Sequence, residues 1–410
     1  MKPEKISDAL NHLDEDLLRE AEEARNHKVR RRPAWQKWGS LAACLALAVF
    51  AGTRLLSSSG NIAEGELPSI TIENNEAGAF GYEGYMALDI SELGGANPWT
   101  EGAKIKTLPV YQNSISYDEQ HIASGTDLDK MKSLLLTVAE QMGLDTKTIP
   151  ITDDTPDEDY IKAVTEKIES VGDTVPEGYF DPSTVIMEGD GIKIEVDRTL
   201  TARIDLDPAV ELPAEYRFSY GASSEEMKEA ADWLSKEYSG LLSGMKKPVL
   251  DQGMADRNIY RERSFDTVFF DGSGSLEEQI VNYNFNRVAF YNNDEGKLFI
   301  IRVFVPDLSQ KLGDYPIISI EEAKDLLLSG NYATSVPCEM PGKEHIAKVE
   351  LVYRVGAYEQ VWLPYYRFLV ELPEEFRPED KELHDFGAYY VPAVEGKYIA
   401  NMPTYDGQFN

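Results

Sequence analysis

Chemistry in a chain of 410 residues would have to come from few reactive side chains, since it holds five histidines and two cysteines. His121, His345 and His384 stand far apart. None falls in the His-x-x-x-His or HExxH spacing that puts two imidazoles on one helix face around a metal ion. Cys338 has only Lys343 and His345 nearby in sequence, so it becomes a nucleophile only where folding brings a base against it. Asp271-Gly272-Ser273-Gly274-Ser275 lacks the spacing of a nucleophile elbow and reads as a loop, and no phosphate-binding glycine loop occurs. Two acidic tracts, Asp153 to Asp159 and Asn292 to Glu295, lack the alternating ligand positions of an EF-hand; helix-start decoration and a polar turn account for them. No catalytic residue, cofactor or metal ligand is therefore assigned, and the reading is non-enzymatic.

The aromatic side chains offer binding rather than catalysis. Tyr358, Trp362, Tyr365 and Tyr389 belong to an aromatic concentration late in the chain. Such side chains serve peptide and carbohydrate sites, and equally serve as core on alternating strands. Net charge is −32. The first 37 residues hold nine Lys and Arg against eight Asp and Glu, so the remainder carries −33. Phosphate backbones are repelled by such a surface, which argues against nucleic acid as a partner.

The elements that would position these groups begin with an apolar stretch, Trp38 to Leu56, between a basic cluster (Lys28, Arg30, Arg31, Arg32, Lys37) and the acidic remainder. At 1.5 Å per residue it just spans a hydrocarbon core of about 30 Å. It reads as a transmembrane helix with a cytosolic N-terminus, placing the rest outside the cell membrane. A cleavable signal peptide is the rival reading, with the 37-residue arm against it. Within the arm Ile6, Leu10, Leu13 and Leu17 form a narrow stripe. An isolated helix of this length is marginal in water, so the stripe calls for a cytosolic protein partner.

Residues 57–104, polar and without sustained periodicity, read as a tether with one short strand at 69–73. Beyond them lie an α+β module over 105–305 and a second over 306–410. Four helices are marked by caps and closing glycines: 128–142 before Gly143, one holding Ile161, Val164, Ile168 and Val171 before Gly172, one from Ser223-Ser224-Glu225-Glu226, and one from Ser319 to Gly330. Antiparallel strands are expected at 192–196, 199–206, 265–270, 280–291, 297–305, 346–355, 361–372 and 388–394, with a hairpin loop at Asn292–Gly296. Val210-Glu211-Leu212-Pro213 recurs as Val370-Glu371-Leu372-Pro373, which hints at two related modules. Two cysteines, one in the apolar stretch, leave the fold without an internal disulfide.

Residues 315–323, 326–330, 349–353 and 363–368 resemble the layout of PepSY-like and YycI-type extracytoplasmic regulators: a helix opening at Ile-x-x-Glu-Glu-Ala, then strands ending in Pro-x-x-Arg-Phe. The similarity covers about residues 315–400. The arm, basic patch and single apolar stretch likewise look like membrane-bound anti-sigma factors of Gram-positive bacteria, without their zinc-binding His and Cys pattern. The resemblance implies a sensing or regulatory domain coupled to a cytosolic partner. The alternative is an exported cell-surface protein that binds peptide or glycan.

Overall fold

The computed structural model describes residues 67–72, 82–117, 123–125, 127–253, 256–257, 262–356, 359–373 and 382–407, all within one compact unit. In chain order come β1 (Gly84–Ala87), β2 (Thr107–Gln112), α1 (Leu128–Gln141), β3 (Thr152–Asp153) and α2 (Glu158–Ser170). Then follow β4 (Thr184–Gly189), β5 (Ile192–Asp197), β6 (Thr201–Val210), α3 (Ser224–Glu237), β7 (Pro248–Asp251), β8 (Val268–Asp271) and α4 (Leu276–Phe285). The chain continues through β9 (Arg287–Asn292), β10 (Leu298–Phe304), β11 (Lys311–Pro316), α5 (Ile320–Leu328) and β12 (Ala333–Thr334). It ends with β13 (Ile346–Tyr353), β14 (Val361–Trp362), β15 (Pro364–Glu371) and β16 (His384–Pro392).

An antiparallel sheet of eight strands runs β3-β4-β5-β6-β10-β9-β8-β7. Alternation divides its faces. Val185, Met187, Ile194, Val196, Ala202 and Ile204 enter a core with α1 and α3, while Lys193–Glu195 and Arg203–Asp205 ion pairs decorate the other face. The β4–β5 hairpin turns through Asp190 and Gly191, both at positive φ, the combination a type I′ turn requires. A Cβ at Gly191 would meet the Asp207 carbonyl oxygen at 2.5 Å.

A second sheet runs β1-β16-β15-β13, with β12 also on β16, and a three-stranded one runs β11-β2-β14. Phe368, Val370, Tyr389 and Val391 pack toward α4 and α5. Tyr365, Leu369, Phe386 and Tyr390 face a third core. Helix α4 is shared, giving Ile280, Val281 and Phe285 to one core and Tyr283 to the other.

The antiparallel α+β architecture matches expectation, but the transmembrane part of that fold class is corrected. No helix among the described residues is long and apolar enough to cross a membrane. The longest, α1 and α3, have 14 residues, about 21 Å against a hydrocarbon core of about 30 Å. Residues 38–56 and the stripe Ile6, Leu10, Leu13 and Leu17 lie outside the described residues.

Three further expectations change. Residues 280–285, read as part of a strand, form α4, because Ser275 and Glu278 close a reciprocal capping box. Residues 67–72 and 82–104, within the expected tether, are packed: Ile70, Ile72, Ala87, Leu93 and Trp99 are all buried. Strand β2, placed by sequence in the first module, pairs with β11 and β14 of the second. The repeated Val-Glu-Leu-Pro phrase buries Leu212 and Leu372 at two strand ends, yet one strand closes the β4-β5-β6 meander and the other is the middle of β13-β15-β16.

Candidate functional site: an acidic helical excursion

Between β3 and β4 the chain leaves the sheet. Its root is firmly tied. The Ser183 and Thr184 amides donate to Asp154 Oδ1 at 2.8 and 3.0 Å, and the Ser183 hydroxyl donates to the same carboxylate. Burial pushes the Asp154 carboxyl up, but these bonds outweigh it and hold its pKa below the usual range. Arg198 donates from Nε to the Pro182 carbonyl at 3.2 Å and from Nη2 to that of Asp181.

From this root rises α2. Its N-cap is Asp157, which accepts from the Tyr160 amide at 2.8 Å. Tyr160, Ile161, Val164, Ile168 and Val171 fall within an arc of about 100° on the helix face. None of them belongs to any of the three cores. Ile161, Val164 and Ile168 are half-buried, while Tyr160 is 55% and Val171 74% exposed. The return segment adds Tyr179, 40% exposed, its ring edge-on to Phe180 at 4.9 Å. The periodicity of α2 was legible in sequence; the absence of a core beneath it was not.

A small pocket of mixed lining opens beside the root, with Asp127, Lys130, Arg198 and Asp307 beside Ile115, Leu200 and Trp362. The Lys130 ammonium lies 3.1 Å from Asp127 and 2.6 Å from Asp307, so the pocket neutralises its own charges. Asn113 binds the loop before β14, its side-chain amide donating to the Glu359 carbonyl at 2.8 Å.

Two buried carboxylates near this sheet behave oppositely. Burial raises the Glu350 pKa, but Arg367 (Nε to Oε2 3.0 Å) and Lys348 (2.8 Å) outweigh it, and the group stays below the usual range. Glu359 has the Arg354 Nε at 3.7 Å, and burial lifts it to about 7 against that cation. Arg354 stacks over the rings of Tyr390 and Tyr365, at 4.9 and 5.6 Å.

The expected aromatic surface is not gathered into a platform. Trp362, Tyr365 and Tyr389 are 4%, 1% and 0% exposed, with Tyr365 in a different core from the other two; Tyr358 lies outside the described residues. His384 Nδ1 sits 2.6 Å from Glu371, Cys338 is buried, and His121 lies outside the described residues. Asp271 accepts from the Lys246 and Lys247 amides and ties its loop. Among the described residues no cluster of three His, Cys, Asp or Glu could hold a metal ion.

No family model and no curated protein matches the chain. Among solved structures, the chain is similar to an uncharacterized protein from Eubacterium rectale. That match has 12% identity, a TM-score of 0.29, and covers 71% of this chain and 85% of that one.

Proposed function

We propose that this chain is a non-enzymatic regulatory protein whose described domain docks another protein through α2. One observation carries the reading: α2 keeps an amphipathic stripe that no core of its own molecule takes up, on a root tied at Asp154 and Arg198. Ordering such a stripe in water gains little, because short helices draw their stability from packing; a surface that covers it supplies that packing. Exposed apolar residues on a rigid mount are the ordinary mark of a protein contact. The N-terminal stripe Ile6, Leu10, Leu13 and Leu17 is proposed as a second contact, to a cytosolic partner.

The test is quantitative co-purification from the native cells. Tyr160→Ser with Val171→Ser is expected to remove a defined protein from the material recovered with the tagged full-length chain, at an unchanged melting temperature. An identical set of co-purifying proteins would contradict the docking role.

A further inference from the structure

The charge around α2 narrows what covers it. Residues 153–181 hold ten Asp and Glu against two Lys, a net of −8. A quarter of the chain's net −32 thus falls within 29 of its 410 residues. Charges this dense act on a partner within a Debye length of about 8 Å at physiological salt. Nucleic acid and anionic lipid are repelled, and a second copy would set −8 against −8. The apolar stripe excludes a purely polar cation.

Resting on the docking reading above, we infer that α2 receives a cationic amphipathic segment of a partner protein. Its apolar residues cover the strip between Tyr160 and Val171, about 16 Å along the axis at 1.5 Å per residue. Its Lys or Arg side chains reach Glu158 and Glu169, which stand about 60° and 80° beyond Ile161 around the helix axis. The exposed rings of Tyr160 and Tyr179 offer faces over which such cations are attracted. This is helix-in-groove recognition with the polar rim inverted in sign.

The experiment uses the full-length protein and two labelled amphipathic helical peptides of about 18 residues, one of Leu and Lys, one of Leu and Glu, with binding read by fluorescence anisotropy. The Leu/Lys peptide is expected to bind at least about tenfold more tightly than the Leu/Glu peptide, and to lose about tenfold between about 50 and about 300 mM NaCl. Tyr160→Ser with Val171→Ser keeps every charge and is expected to weaken that binding about tenfold. Glu225→Gln with Glu229→Gln on α3 is expected to leave it unchanged. Equal binding of both peptides, each lost in the Tyr160/Val171 variant, would overturn the cationic partner and leave docking standing. Binding that ignores the Tyr160/Val171 change and weakens with the α3 change would be adsorption to bulk acid, and both readings would fall. Self-association abolished by the Tyr160/Val171 change would assign the face to a second copy and overturn the cationic partner alone.

Discussion

Helices α1 and α2 are nearly equal in length, 14 and 13 residues, and each carries an apolar stripe. α1 lies on β4 and β5 and buries Met131, Leu135, Val138 and Ala139 at 1% exposure or less; α2 buries none. The stripe is the same kind of signal in both. What differs is whether the long-range fold lays a sheet face beneath it. The interior spends its apolar residues on itself, and the excursion half-covers Ile161, Val164 and Ile168 and leaves Tyr160, Val171 and Tyr179 exposed.

The contrast can be broken from the interior side first. Arg367 is the main cation of Glu350 and is enclosed with it, so Arg367→Ala leaves the buried carboxylate to Lys348 alone and is expected to cost about 3–5 kcal/mol. Leu135→Ala should cost about 2–5 kcal/mol, as large-to-small core changes do, whereas Ile161→Ala in α2 should cost less than about 1 kcal/mol. Denaturant melts of both variants decide it: equal losses would mean that α2 is as much core as α1.

Next in size is a pH effect on Glu359. Its folded pKa of about 7 lies above the ordinary carboxyl value of 4.5. The folded state therefore holds a proton that the unfolded chain has released, and the contribution to stability is full at low pH and is lost as pH rises through 7. Glu359→Gln keeps the neutral form at every pH. It should raise stability above pH 7 by up to about 3 kcal/mol and change little below pH 4.5. Thermal melts across that range check it, and a gain independent of pH would contradict the assignment. Glu350 runs the other way: its lowered pKa gives stability above the ordinary value that is lost on acidification. The smallest expected effect is that of Tyr160→Ser with Val171→Ser, within about 0.5 kcal/mol of the parent in the same melts.

Local signals were readable and long-range ones were not. The Ser223 and Ser319 caps mark α3 and α5 within a residue, because a cap is a contact between neighbours. Helix α4 was missed although Ser275-Leu276-Glu277-Glu278 carries the same box. Its apolar residues serve two cores on different sides, so no single stripe stands out. Asp190-Gly191 announces a hairpin that the strand list passed over. Residues 67–72 and 82–104 have no periodicity because they give single side chains, such as Ile70, Leu93 and Trp99, to cores built by other elements. The acidic tract and stripe of α2 were both visible, but only packing tells an unclaimed stripe from a claimed one.

The claim that α2 is a docking surface is tested most directly by contact. A photo-crosslinking amino acid replaces Val171 in the full-length chain, and in a parallel strain replaces the exposed Glu140 at the end of α1. After irradiation of living cells, position 171 is expected to form a discrete adduct with one other protein, and position 140 none. No adduct at 171, or the same adducts at both positions, would contradict the account.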